Sequence, residues 1–257
     1  MKKLSFACIC SIICSTLPLC AQPAFQNLDF ESAHVPDLPP DQYEFVPFSD
    51  ALPGWTGYFG ATPATTALHN TFTLGLYNVS ILGPDFTFPT PDIQILDGQY
   101  SAMIQAGENP PSPPVPTAIA QTGLVPLGSH SIQMSVWGDI PGEINGLSVT
   151  LGGQFINLLV VTESLHNYTV YGDVSSFAGQ VLELRITASP LPTDSNTTFE
   201  LDDISFSPAY VPEPRIATLL VMGALLIFRR DFRRQLPNRA LAFSIGRQPP
   251  KRVVQHM

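Results

Sequence analysis

The sequence predicts an all-β protein: a two-sheet antiparallel β-sandwich of jelly-roll type, set between an N-terminal signal peptide and one C-terminal transmembrane helix. Three observations carry this. Apolar and polar residues alternate with period two in Ser131 to Val136, Leu147 to Leu151 and Leu182 to Ile186. Turn-forming pairs, Asp97-Gly98, Pro141-Gly142, Asn145-Gly146 and Gly152-Gly153, punctuate the runs, and no amphipathic helical stretch of convincing length competes with them. All four cysteines, Cys8, Cys10, Cys14 and Cys20, fall within the first 20 residues, so the rest has no disulfide framework, no zinc–thiolate site and no thiol nucleophile. It must be held by its core.

In chain order, residues 1–21 read as a signal peptide. Lys2 and Lys3 form a positive start, Leu4 to Leu17 an apolar run, and Pro18 breaks the helix before small residues that place cleavage after Ala21. Leu19 before Cys20 argues against a lipidated cysteine, which needs a small residue there. Residues 22–210 are then long enough for one well-buried domain without staples. Val35 to Pro53 and Glu108 to Pro116 are rich enough in proline to predict extended surface loops, the second with polyproline II character. Strands are further predicted at Thr71–Leu82, Gln99–Gln105, Ala118–Thr122, Phe155–Val161, His166–Tyr171 and Thr198–Phe206.

From Gln22 to Tyr210 there are 19 Asp and Glu and a single basic side chain, Arg185, a formal charge of −18. Such a domain repels phosphate backbones and anionic lipid heads, which argues against nucleic acid as a partner and makes cations the more natural ones. Solubility alone is the competing reason for so acidic a surface.

The chain then changes character. Val211-Pro212-Glu213-Pro214 is a stiff stretch through which no helix can run, although one can start at Pro214. Ile216 to Phe228 is an apolar run of 13 residues, about 20 Å as a helix against roughly 30 Å of bilayer hydrocarbon. Arg229, Arg230, Arg233 and Arg234 close it with a basic stop on the cytoplasmic side. Residues 235–257 follow as a basic tail, expected to be cytoplasmic and disordered.

The order Pro212-Glu213-Pro214, short apolar helix, arginine cluster resembles the PEP-CTERM sorting signal of bacterial surface proteins. That resemblance implies export by the secretion machinery and an inner-membrane-anchored precursor. It also implies recognition at Pro-Glu-Pro by an exosortase-type membrane protease, and release to the cell surface or extracellular matrix. The tail after Arg234 departs from the family, whose members end near the arginines.

A second resemblance rests on Phe30-Glu31, Leu52-Pro53-Gly54-Trp55, Asp97-Gly98-Gln99-Tyr100, Ala118 to Thr122 and Phe199-Glu200-Leu201-Asp202-Asp203-Ile204. In that order they look like the galactose-binding-domain-like jelly rolls, among them carbohydrate-binding modules. The resemblance implies first and last strands side by side, with Glu31 and Asp202 or Asp203 holding a structural calcium ion.

Candidate chemistry follows from both readings. Alternation slips at Asp202-Asp203, because Phe199 and Leu201 share one parity while Ile204 and Phe206 share the other; a bulge there would turn both carboxylates toward one site. Solvated acids, calcium ligands and a catalytic pair are the three readings of them. Trp55, with Tyr58 and neighbouring Tyr43, Phe45 and Phe59, forms a candidate sugar platform, against the alternative that Trp55 and Trp137 are core. No histidine has metal-ligand spacing, no serine sits in G-x-S-x-G, and no Gly-rich phosphate loop opens a helix. The expected function is a non-catalytic exported surface or matrix protein that binds polysaccharide. The alternatives are a glycan-active enzyme, which needs two facing carboxylates, and a permanently anchored single-pass membrane protein.

Overall fold

Period-two alternation resolves into two sheets in the computed structural model, which describes residues 23–39, 42–73, 75–87, 93–109, 112–140, 144–191 and 196–211. The predicted signal peptide, Pro212-Glu213-Pro214, the apolar segment, the arginines at 229, 230, 233 and 234, and the tail 235–257 lie outside the described residues. Among the described residues no helix is long and apolar enough to cross a membrane.

The described strands are β1 (Glu44–Pro47), β2 (Thr56–Phe59), β3 (Thr62–Pro63), β4 (Thr66–His69), β5 (Asn78–Leu82), β6 (Ser101–Asn109), β7 (Ser112–Val115) and β8 (Thr117–Leu124). They continue with β9 (Ser131–Gly138), β10 (Leu147–Leu151), β11 (Gln154–Phe155), β12 (Leu158–Thr162), β13 (Asn167–Asp173), β14 (Val181–Ala188) and β15 (Thr197–Ser207). One sheet runs β1-β4-β5-β6-β15-β9-β13-β12, with β7 paired to β6 off that path, and the other runs β11-β10-β14-β8-β2-β3. Pairing between these strands is antiparallel except between β4 and β5, and Ala24 adds an isolated parallel bridge to Leu124 at the end of β8.

The main core lies between the sheets. Ile81, Ile104, Ile132, Val170 and Leu201 from the larger sheet pack in one cluster with Ile119, Val149, Leu184 and Ile186 from the smaller. The predicted alternation is borne out on β10, where Leu147, Val149 and Leu151 are buried while Ser148 and Thr150 are partly exposed. Among the described residues the last buried member of this cluster is Ile204, with Phe206 packed against it, within the unit that ends at Val211.

Two proline-rich stretches depart from the prediction. Within Val35 to Pro53 the chain forms β1 and a short helix, α1 (Phe48–Ala51), burying Val46, Phe48, Ala51 and Leu52. Proline is tolerated here because β1 is an edge strand and Pro47 is its last residue, so the missing N–H removes no ladder bond from the sheet interior. Likewise Ser112–Val115 pairs back on β6. The predicted strand Thr71–Leu82 is shorter than expected: among its described residues Asn78–Leu82 is strand, and residues 71–73 and 75–77 lie outside any strand.

A second, smaller core sits on the outward face of the larger sheet. Leu82, Met103 and Trp137 are roofed there by Ile93, with Ile95, Leu96, Phe72 and Phe86 packed alongside. The segment Ile93–Tyr100 is thus a strap across the sheet. Its far end is pinned by carboxylates: Asp97 N–H donates to Asp202 Oδ2 at 3.1 Å, while Gln99 and Tyr100 N–H donate to Glu31 Oε1 at 2.7 and 3.0 Å. Gly98 is required there, since its φ is +59° and a Cβ would fall 2.2 Å from Glu31 Oε1.

Candidate functional site

The aromatic cluster predicted from the sequence divides once the chain is folded. Trp55 is 5% exposed, tilts against Phe30 with ring centroids 5.8 Å apart, and donates its indole N–H to Asn27 O at 2.9 Å. It is a core residue, which corrects its reading as a glycan contact: a ring buried on both faces cannot stack on sugar. Tyr58, on the outward side of β2, carries the Arg185 guanidinium 4.1 Å from its ring centroid, and Arg185 Nε donates to Glu183 Oε1 at 2.9 Å. The domain's lone cation therefore occupies a face of Tyr58, and the expected Trp55–Tyr58 platform is not formed.

Other aromatics remain available. Val46 points to the core, so its neighbour Phe45, opposite Leu68 of β4, points outward and is 68% exposed. Phe59 of β2 meets Tyr77 with centroids 4.9 Å apart. Together with Leu68, Thr73 and Asn78 these line a cavity of about 240 Å³ at the β1–β4–β5 edge. It offers three aromatic rings, the hydroxyls of Thr66, Thr73 and Tyr77 and the Asn78 amide, with no charged side chain in its lining. Phe45 and Phe59 were legible as members of an aromatic-rich stretch, whereas Tyr77 and Asn78 read only as part of a strand.

The loop that walls this cavity is fixed by β6. Gln105 Nε2 donates to Thr73 O at 2.6 Å and Leu76 O at 2.8 Å, and Glu108 N–H donates to Gly75 O at 2.9 Å. The loop backbone lies so close to Gly107 that a Cβ there would fall 2.6 Å from Gly75 O. Any larger residue would displace the wall.

The predicted bulge is present on β15, where the register against β9 shifts between Asp202 and Ser205 and Asp203 adopts φ +53°. It does not turn both carboxylates to one site: Asp202 is buried and Asp203 exposed. Asp202 accepts from Asp97 N–H, from Ser101 Oγ at 2.9 Å and from Asp203 N–H at 2.7 Å. Burial nevertheless pushes its pKa up to about 7 against the pull of those donors. The pKa of Asp203 is raised by burial and by the neighbouring Asp97 and Asp29. Glu31 spends its Oε1 on the strap backbone. Among the described residues no three His, Cys, Asp or Glu side chains are placed together to hold a metal ion, so Glu31, Asp202 and Asp203 are not gathered as one ligand set. The N-terminal segment does meet the last strand, through Ile204 N–H to Leu28 O at 3.0 Å.

Glu200 was not singled out in the sequence as a site residue. It lies on the outward face, opposite Met103 and Trp137, and is 0% exposed. The nearby Ser101 hydroxyl is committed to Asp202, and neither Glu200 oxygen has a hydrogen-bond partner among the described residues. Burial pushes its pKa up to about 8, with Asp202 adding to the rise. The acid is therefore held protonated at neutral pH.

No protein-family model matches the chain, and no curated protein matches it closely. Among solved structures, it is similar to an apo cyclase from Fischerella sp., at 16% identity over 74% of this chain and 98% of that one, with a TM-score of 0.45. It is also similar to TmCBM61 in complex with β-1,4-galactotriose, at 11% identity over 73% and 99%, TM-score 0.36. A third is the family 11 carbohydrate-binding module from Clostridium thermocellum in complex with a β-1,3-1,4-mixed-linked tetrasaccharide, at 11% over 66% and 98%, TM-score 0.35. Scores this low leave the functional reading resting on this chain's own side chains.

Proposed function

We propose that the protein is a non-catalytic exported surface or extracellular-matrix protein whose jelly-roll domain binds neutral polysaccharide. The observation that carries this is the uncharged cavity walled by Phe45, Phe59 and Tyr77, open at the edge of a domain whose formal charge is −18. Aromatic faces suit the C–H surfaces of a sugar ring, and Thr73 and Asn78 supply hydrogen-bonding groups beside them. A glycosidase needs two carboxylates facing across a cleft. Carboxylates enter the described cavities singly, Glu163 in one and Asp139 in another.

Galactan, mannan or mixed-linkage β-glucan is expected to bind with micromolar to millimolar affinity, roughly 4–8 kcal/mol. Phe45→Ala, an exposed substitution, should weaken binding about tenfold without changing the melting temperature. Affinity electrophoresis against all three polymers measures this. Retention unaltered by Phe45→Ala, or retention by none of them, overturns the assignment.

The same proposal has the domain delivered by the PEP-CTERM-like signal. A short apolar helix is a marginal anchor unless arginines hold its inner end, which leaves Pro212-Glu213-Pro214 as accessible extended backbone at the outer boundary. Changing those three residues to alanine should leave the protein inserted but unprocessed in its native host, as read by the mass and location of the domain. If the wild-type protein keeps residues 235–257 and stays membrane-bound, permanent single-pass anchoring replaces sorting.

A further inference from the structure

Two chain connections meet the first and last described segments at one pole of the sandwich. There β8 gives way to β9 and β13 to β14, β15 ends, and register pairs set Asp173 and Ser207 beside Ser131 and Val181 beside Leu124. Backbone bonds tie the pieces together. Val125 N–H donates to Gln180 O and Gly179 N–H to Val125 O, both at 2.9 Å, while His130 N–H donates to Ser207 O at 2.8 Å and Leu124 N–H to Pro23 O at 2.7 Å. The chain is held up to its exit, because Ser131 Oγ donates to Ala209 O at 2.7 Å and the Tyr210 ring stacks on His130 with centroids 4.0 Å apart.

This pole departs from the rest of the domain in charge. Residues 23–27, 124–130, 174–181 and 206–211 contain no Asp, Glu, Lys or Arg, in a stretch whose formal charge is −18. Asp173 stands at the border, its pKa lowered by hydrogen bonds from Ser175 and by the nearby His130. The opposite pole, where β9 ends and β13 begins, carries Asp139 and Glu163. Apolar side chains stand out from the charge-free pole: Leu127 is 85% exposed, Tyr210 72% and Val181 37%. Leu127 lies across Gly179, two residues from Val181, where an added Cβ would fall 2.8 Å from Leu127 Cδ2. Exposed apolar groups gathered where charge is missing mark a contact surface.

Where the sequence goes next selects the partner. Five residues, Val211 to Arg215, separate Tyr210 from the apolar run that starts at Ile216, a reach of at most about 22 Å. Resting on the anchored-precursor reading above, we propose that this pole is a lipid-contacting face, which seats in the interfacial layer of a zwitterionic bilayer while the precursor is anchored. Tyrosine suits that layer, with its ring out of water and its hydroxyl in it, and an exposed leucine gains by entering the headgroup boundary. Carboxylate-bearing faces are repelled by lipid phosphates, whereas a face without carboxylates is not. A second copy of the chain is the other candidate for so apolar a patch, and it is disfavoured because it would bring two charges of −18 together.

Tryptophan fluorescence of the full chain, reconstituted in vesicles of phosphatidylethanolamine and phosphatidylcholine with bromine on the acyl chains as quencher, tests this. Trp55 and Trp137 are core residues and give a constant background. A Leu127→Trp reporter should lose about half of its added emission in brominated vesicles. Leu165→Trp, at a position 66% exposed in the turn between β12 and β13 at the opposite pole, should lose none. Adding Val181→Glu and Tyr210→Glu, both at exposed positions, should restore the Leu127→Trp signal. Equal quenching at the two reporters, or none at Leu127→Trp, overturns the proposal. So does a blue shift of Leu127→Trp without quenching, which would mean that protein covers the pole. If alkaline carbonate washes the chain from the vesicles, the anchored reading falls and this inference with it; a retained chain with Leu127→Trp unquenched removes this inference alone.

Discussion

Trp55→Ala is expected to destabilise the domain by about 3–5 kcal/mol, the range for emptying a large aromatic site in a packed core. The ring sits against Phe30, itself fully buried, and its N–H reaches Asn27 O across the N-terminal segment. Alanine would leave a cavity and a carbonyl without its donor, adding about 1 kcal/mol. Trp55→Phe should keep most of the packing and lose mainly the hydrogen bond. Urea midpoints for the three proteins measure the effect, and the binding assay separates the two roles. A Trp55→Ala protein that unfolds at the wild-type midpoint yet no longer binds polysaccharide would return Trp55 to the surface as a platform.

Glu200 should make stability fall as pH rises. A carboxyl whose folded pKa, about 8, lies above its ordinary value of 4.5 holds its proton more tightly in the folded state. Its contribution is fully present below pH 4.5, declines as pH climbs, and is gone above pH 8. Across that window the change is about 4–5 kcal/mol at 1.36 kcal/mol per unit. Asp202, raised to about 7, contributes in the same direction over its own lower window. Glu200→Gln keeps the shape and removes the titration, so the variant should show a flatter stability profile and exceed wild type above pH 8. Chemical denaturation from pH 5 to 9 gives both curves. Parallel profiles would mean that Glu200 ionises at an ordinary pH, and that the strap above it lets water in.

Much of the fold was legible because a half-buried strand writes its two faces directly into alternate residues. Strand β10 matches its predicted bounds and β14 contains its predicted run, and the bulge at Asp202 showed as a slip of parity. The site was legible only in part. Phe45 and Trp55 both belong to one aromatic-rich stretch, yet Phe45 stands in solvent and Trp55 in the core. Their difference lies in what packs on them: β1 is an edge strand whose alternate residue Val46 takes the inward position, while Trp55 closes onto Phe30 and Asn27 from elsewhere in the chain. Glu200 gave no signal either, because an acid in an alternating strand reads as outward and solvated. Outward it is, but the strap covers that face.

What the sequence alone determined were the properties that add up residue by residue: β alternation, the absence of cysteine from residues 22–210, the charge of −18, and the arrangement of Pro-Glu-Pro, apolar run and arginines. What only the tertiary structure decided depends on strand order and register, which set neighbours far apart in the chain. Phe45, Gln105 and Asn167 share one face because β1, β6 and β13 lie in the same sheet in matched register. Glu31 caps the strap instead of joining Asp202, because the turn at Gly98 brings two backbone N–H groups onto its carboxylate. Local pattern specifies which way a side chain points along its own strand, and long-range pairing specifies what it then meets.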